Sequence, residues 1–262
     1  MDKPSAVNGL AEIYLNARHR GELLQGIPAA FEPQDEAQAY AVQDAVARIL
    51  TTGSGPVRGW KVGAATPEAI PFCAPIHAAT ILEDGARVDA RLCRHFGVEA
   101  ELAYRFARDL PRGDKPYDEN TVLEAIGSIH AAIEIFDTRF DKPHSQSRLA
   151  HMADQGNHGA MIVGEGVADW HRFIPSTAAK MTLTINGTVT HRKIGGNSAG
   201  DTRRLLTWLA NHAAERGLPI KAGDTVISGS TMGTAFVRQD SEVVVEFEGL
   251  PPVHATVQVA SV

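Results

Sequence analysis

The chain has 262 residues, 44% hydrophobic and 21% charged, with a net charge of −6 and a pI near 6.0. This is an ordinary globular profile with material for one large core or two small ones. It lacks the Lys/Arg stripe of a nucleic-acid binder and the apolar run of about 18–20 residues that spans a bilayer.

The opening residues, Met1-Asp2-Lys3-Pro4-Ser5, show neither the charged nor the apolar region of a signal peptide. Cys73 and Cys93 form no CxxC and no disulfide framework, so the expected setting is a reducing cytoplasm. From Ala6 to Arg20, Leu10, Ile13, Tyr14 and Ala17 fall at helical spacing. A second helix is predicted from Asp35-Glu36 through Tyr40, Val42, Ala45, Val46, Ile49 and Leu50. Thr51-Thr52-Gly53-Ser54-Gly55-Pro56 reads as a loop, dividing a helical N-terminal subdomain (1–55) from a β-rich catalytic domain (56–262).

Short strands follow: Gly59 to Gly63, Ala74 to Leu82, and a segment around Glu99. Glu119 to about Ser128 is predicted helical, leading into a strand through Glu134, and Met161 to Gly164 is another strand. Met181, Leu183 and Ile185 alternate with threonines before Asn186-Gly187, the signature of a hairpin with a type I′ turn. Asp201 is placed to cap a helix through Leu205, Leu206, Trp208, Leu209 and Ala213, ended by Gly217 and Pro219. Strands at Asp224 to Gly229, Ser241 to Phe247 and His254 to Val259 complete an α+β chain.

The segment Phe96 to Tyr104 carries the strongest chemical signal. Phe96, Val98, Ala100, Leu102 and Tyr104 alternate with Gly97, Glu99, Glu101 and Ala103. Glu99 and Glu101 therefore stand on one strand face and repel unless something neutralises them. A Mg²⁺ or Mn²⁺ ion held by a few carboxylates would do so. Glu134, set in the apolar run Ala131-Ala132-Ile133-Glu134-Ile135-Phe136, is the candidate third ligand, since a buried unpaired acid is costly. Two alternatives stand beside this reading: a solvated Glu-x-Glu, and a Glu134 paired with Arg139 or Lys61. The eleven histidines show no HxxxH or HxH spacing that would suggest zinc.

Gly59-Trp60-Lys61-Val62-Gly63, Val98-Glu99-Ala100-Glu101-Leu102-Ala103, Ala132 to Asp137 and Gly223 to Ser230 together resemble the fumarylacetoacetate hydrolase superfamily. Within it they are most similar to the branch of 2-keto-4-pentenoate hydratases and 4-oxalocrotonate decarboxylases. Trp208-Leu209-Ala210-Asn211 and Lys221-Ala222-Gly223-Asp224 add to the match, which runs from about residue 35 to the C-terminus. The resemblance implies a β-rich roll behind a helical N-terminal part, and Mg²⁺ or Mn²⁺ on Glu99, Glu101 and Glu134. It further implies an active-site Lys61, a small 2-oxo or 2-hydroxydienoic acid from aromatic catabolism as substrate, and a homo-oligomer. The activity it implies first is hydration of a 2-hydroxypenta-2,4-dienoate-type acid. Decarboxylation of an oxalocrotonate-like diacid, with Arg58 or Arg139 meeting the second carboxylate, is the alternative. An acylpyruvate-type hydrolase and a non-enzymatic relative are further ones.

Other residues are candidates for roles around that centre. Ser230 and Thr231, in the small-residue loop Ser228 to Gly233, could hold the substrate carboxylate with their hydroxyls and neighbouring backbone N–H groups, or form a plain turn. Asn157 and His158 lie in a polar loop before a strand, a common source of substrate contacts. Asp137 and Arg139 read as a structural pair. The branch's acidic residue after the lysine motif is missing; Pro75-Ile76-His77 stands there, making His77 a candidate proton-transfer group or a surface histidine.

Overall fold

The computed structural model describes residues 5–173 and 176–259; Met1–Pro4, part of the segment read for a signal peptide, lies outside them. Helix α1 (Ala6–Arg20) begins where the Ser5 side chain accepts the Asn8 N–H and ends at Gly21, whose φ of 67° closes it. Asp35 caps α2 (Glu36–Ser54) in the same way through Gln38 N–H. This helix runs through Thr51–Ser54, predicted as loop. The Thr51 hydroxyl bonds back to the Ala47 carbonyl, and the break comes only at Gly55, with φ 75°.

Strands β1 (Val57–Gly63), β2 (Phe72–His77), β3 (Ile81–Glu83), β4 (Ala86–Asp89) and β5 (Gly97–Phe106) follow. The predicted Ala74–Leu82 strand is two elements, because a 3₁₀ turn at Ala78–Thr80 sends β3 to the far edge of the sheet. Helix α3 (Glu119–Glu124) is shorter than predicted. Its successor β6 (Ile126–Phe136) takes over at Ile126, where the chain pairs with Phe106 of β5. Then come α4 (Arg148–Ala153), β7 (His158–Val167), and the hairpin β8 (Lys180–Ile185) and β9 (Thr188–Ile194). Asn186 and Gly187 have φ of 50° and 75°, as a type I′ turn requires.

At the start of helix α5 (Arg203–Glu215) the cap position falls to Thr202, but Asp201 makes the capping contact expected of it. Its Oδ1 accepts the Arg203 backbone N–H at 3.1 Å, and its Oδ2 also binds the Arg203 guanidinium at 2.5 and 2.8 Å. Strands β10 (Thr225–Ile227), β11 (Ala235–Phe236), β12 (Ser241–Phe247) and β13 (Val253–Gln258) complete the chain. Among the described residues no helix is long and apolar enough to cross a membrane.

Two sheets organise the body. The larger has eight strands in the order β2-β1-β10-β5-β6-β7-β3, with β11 added to β5; the smaller runs β4-β13-β12-β8-β9. Val98, Ala100, Leu102 and Tyr104 on one face of β5 join Val243, Val245 and Val257 of the smaller sheet in the main core. That core also takes Leu10 and Tyr14 from α1, Val46 from α2, and Leu205 and Leu209 from α5. Each large apolar side chain fully buried there contributes about 1.5–3 kcal/mol. The other face of the larger sheet carries a separate patch of Ile76, Ala103, Ala132, Met161, Val163 and Ile227. Alternation puts Glu99 and Glu101 on the Ala103 face, and Glu134 on the Ala132 face. The three acids therefore stand at one end of the surface whose other end is this patch.

Candidate metal centre and substrate cavity

Strand register assembles the acids. Glu99 of β5 is the direct cross-strand partner of Glu134 on β6, and Glu101 lies two residues farther along. Oxygen atoms from the three carboxylates all come within 4.8 Å of one another. Glu101 is 1% exposed and Glu134 0%. Each acid has its own support. The backbone N–H of Gly229 donates to Glu101 Oε2 at 2.7 Å, and the Thr234 hydroxyl donates to Glu99. Glu134 Oε1 accepts from Lys61 Nζ at 2.7 Å and lies 3.0 Å from His158 Nδ1. Glu134 Oε2 is buried with no hydrogen-bond partner. A buried carboxylate oxygen left bare is costly unless a cation faces it. An all-oxygen donor set with one oxygen unsatisfied fits a hard divalent ion such as Mg²⁺ or Mn²⁺.

Electrostatics agree with that fit. Burial, then the charge of Glu134, pushes Glu99 up to about 7. Glu101 is raised well above the ordinary carboxylate range, by burial and by both neighbouring acids. Burial also works to raise Glu134, but Lys61 and His158 outweigh it and hold its carboxyl below the ordinary value. For Lys61, burial pulls down and the three glutamates pull up more strongly, so its ammonium is retained. Without metal, the site thus holds a Lys61–Glu134 ion pair beside two carboxyls, Glu99 and Glu101, that hold their protons more tightly than free ones. A cation must expel those protons. Apparent Mg²⁺ affinity should therefore rise from about pH 6 to about pH 8, with proton release on binding. Calorimetry in two buffers of different ionisation enthalpy measures both. An affinity independent of pH, with no buffer dependence, would contradict this account.

The acids open into a cavity of ≈ 610 Å³, lined also by Lys61, Phe72, Phe136, His144, Arg148, His151, Asn157, Gly229 and Ser230. One wall is the turn Gln155-Gly156-Asn157, whose φ angles of 52°, 59° and 60° are all left-handed. Asp154 anchors it, accepting from Arg18 at 3.1 Å, the Thr138 hydroxyl at 3.1 Å and the Arg139 N–H at 2.8 Å. Gly156 meets the Lys61 stem so closely that a Cβ there would lie 3.3 Å from Lys61 Cδ. The positive φ and the close approach both call for glycine.

The residues expected near the site divide. Lys61, Glu99, Glu101, Glu134, Ser230 and Asn157 line the cavity. His158 approaches from behind: it touches Glu134 but lines a different cavity of ≈ 510 Å³, with its Nε2 3.1 Å from the Thr80 hydroxyl. His77 lines that second cavity too and bonds the Ala47 carbonyl through Nε2 at 3.0 Å. Register explains its distance. Lys61 pairs with Ala74, whereas His77 pairs with Val57, four residues or about 13 Å along β1.

Thr231 is turned away from the cavity, its hydroxyl bonded to the Ala100 carbonyl at 3.0 Å. The expected cradle of backbone N–H groups is largely committed as well. Gly229 N–H serves Glu101, and the Ser228 and Thr231 N–H groups serve the Leu102 and Ala100 carbonyls. Asp137 and Arg139 form the expected buried pair at 3.6 Å. Neither Arg139 nor Arg58, which binds Asp224 at 3.3 Å, lines the acid-bearing cavity. Arg148 does, while pairing with Glu36 at 2.6 Å.

Comparison with known proteins adds to this geometry. The family described as "Fumarylacetoacetate (FAA) hydrolase C-terminal" matches residues 45–258. A 2-keto-4-pentenoate hydratase of Burkholderia vietnamiensis is 25% identical over 263 residues, covering 98% of this chain and 99% of the relative. The 2-keto-4-pentenoate hydratase 2 of Dechloromonas aromatica is 28% identical, covering 84% and 86%. Among solved structures, 4-oxalocrotonate decarboxylase from Pseudomonas putida G7, complexed with magnesium and adipate, superposes with a TM-score of 0.84. It is 22% identical and covers 99% of both chains, a likeness of fold.

Proposed function

The chain belongs to the fumarylacetoacetate hydrolase family, and from that premise we propose that it is a metal-dependent hydro-lyase, adding water to a 2-hydroxypenta-2,4-dienoate-type acid. The observation that carries the reading is the buried triad of Glu99, Glu101 and Glu134 with its bare Glu134 Oε2, opening into a cavity sized for a small acid. The three carboxylates would hold Mg²⁺ or Mn²⁺. When bound, the ion supplies stabilisation for negative charge developing on the substrate's 2-oxygen.

The protein's own groups account for the rest. Lys61, kept protonated by the acids around it, presents a cation where an anionic substrate meets three glutamates. Its ammonium also places a proton donor beside the reacting chain. Ketonisation of the dienol moves the 2-hydroxyl proton to solvent and delivers a proton to C5, leaving a C3–C4 double bond conjugated to the ketone. Water then adds its oxygen at C4 and a proton at C3. Asn157 and the backbone N–H of Ser230, on separate loops lining the cavity, are the proposed polar contacts to the acid; the Ser230 hydroxyl itself donates to the Gly233 carbonyl at 2.8 Å.

A decarboxylase is the second reading, favoured by Arg148, a cation on the cavity wall able to meet a second carboxylate. Purified protein with Mg²⁺ and 2-hydroxypenta-2,4-dienoate should consume the dienoate absorbance and yield 4-hydroxy-2-oxopentanoate without CO₂. An inert dienoate, with CO₂ evolved from the oxalocrotonate-type diacid, would replace the hydratase with the decarboxylase.

A further inference from the structure

Asn157 projects from the left-handed turn into the cavity, with both backbone groups already satisfied: its N–H donates to the Asp154 carbonyl at 3.0 Å, and its carbonyl accepts from Asp137 N–H at 2.8 Å. Its side-chain amide has an acceptor end and a donor end, and only one of them can face the bound acid. His151 decides which. This histidine sits in α4, 9% exposed, with Phe140 edge-on at 5.4 Å. The backbone N–H of Gln146 donates to His151 Nε2 at 3.3 Å, so Nε2 is the unprotonated nitrogen. Burial also holds this ring below its ordinary pKa, in the neutral form, although Asn157 and Asp154 oppose the shift. The single ring proton therefore lies on Nδ1, 2.8 Å from Asn157 Oδ1. Turning the amide over would set an N–H of Asn157 against the N–H of His151, two donors with no acceptor between them.

We infer that His151 is a positioning residue that fixes the Asn157 amide with its N–H groups turned into the cavity, as neutral donors to an oxygen of the bound acid. The inference rests on the proposed function and deepens it. Among the described residues, Asn157 Nδ2 has no hydrogen-bond partner, although Asn157 lines the cavity. Lys61 is already engaged with Glu134. A neutral donor attracts a carboxylate or oxo oxygen without disturbing the charge balance around the acids. It also discriminates: it favours oxygens that accept and offers nothing to a methyl group or an ammonium. The device starts at one main-chain N–H, at Gln146, and passes through a histidine tautomer to set the polarity of a side chain in the cavity.

Two measurements test it. Long-range ¹H–¹⁵N spectra of the histidine rings should show His151 as the Nδ1–H tautomer; the Nε2–H tautomer would overturn the inference whatever the substrate. Calorimetry with Mg²⁺ and oxalate, a two-oxygen acid, tests the donor. Asn157→Gly keeps the left-handed backbone but removes the amide, and should weaken oxalate by about 10-fold, with Asn157→Asp at about 100-fold. His151→Phe keeps an aromatic ring against Phe140 and should weaken oxalate by about 3–10-fold. The double variant His151→Phe/Asn157→Gly should be no weaker than Asn157→Gly, because His151 acts through Asn157. Mg²⁺ affinity measured without oxalate should be unchanged throughout, which a merely structural collapse would not allow. Wild-type oxalate affinity in Asn157→Gly would overturn the inference alone. A wild-type protein that binds Mg²⁺ but no oxalate would overturn the proposed function as well.

Discussion

Glu101→Gln should fold normally and lose Mg²⁺ binding and turnover together. Glu101 is buried and its carboxyl is raised well above the ordinary range by burial and by the neighbouring acids, so the metal-free protein favours its protonated form. A glutamine has nearly the shape of a protonated glutamate, and its Oε1 can still accept the Gly229 N–H that Glu101 Oε2 accepts. The melting temperature without metal should therefore stay within a few degrees of wild type. What the amide cannot do is give up a proton to become an anionic ligand. Losing an outer partner of a metal ligand costs about 10–100-fold in affinity, and losing a ligand itself should exceed about 100-fold. Turnover at fixed Mg²⁺ should fall at least as far. Calorimetry and the dienoate assay on one preparation decide the matter. Full activity after chelation and Mg²⁺ readdition would remove Glu101 from the metal site.

Lys61→Met should have the other large effect, with a different signature. Its loss strips Glu134 of a 2.7 Å ion pair and leaves a fully buried carboxylate facing only His158. Breaking one partner out of a buried pair typically costs about 3–5 kcal/mol. The metal-free variant should therefore melt well below wild type, and Mg²⁺ should restore more stability to it than to wild type, because the ion supplies the missing positive charge. Activity should not return with the metal. A proton donor beside the reacting chain is worth about 10²–10⁴-fold, and methionine offers none. Lys61→Arg should not rescue activity fully, because Gly156 presses against the lysine stem and leaves little room for a planar guanidinium. Thermal melts with and without Mg²⁺, alongside turnover, test both halves. A Lys61→Met enzyme with wild-type turnover would leave Lys61 a purely structural role.

The acids were legible in the sequence because strand physics is local. A period of two puts Glu99 and Glu101 on one face, and a lone acid in the apolar run Ala131 to Phe136 draws notice to Glu134. Their mutual register, Glu99 opposite Glu134, depends on the pairing of β5 with β6, which no single segment encodes. The loop contributions were harder to read. Gly229, which steadies Glu101, lies 128 residues away in sequence. Arg148 and His151 sit on a six-residue helix that the sequence pattern did not separate from its surroundings. His77 was misplaced because nearness to Lys61 in a hairpin depends on register, and β2 carries the residues after Ala74 away from the site. The type I′ turn at Asn186-Gly187 was readable because its chemistry lies within two residues. Asp201 at the start of α5 was readable for the same reason, since its Oδ1 accepts the N–H of Arg203 two residues on; its further bond to the Arg203 guanidinium is a contact that a capping rule does not weigh.

The three acids belong to two directly paired strands inside the larger sheet, whereas Ser230 and Asn157 are supplied by connecting loops. A laboratory library that varied those loops while keeping Gly229 and Thr234, which donate to Glu101 and Glu99, would keep the same three carboxylates beneath every member. In such an architecture, the residues around the cavity's rim can be varied while the three carboxylates in the interior of the sheet stay intact.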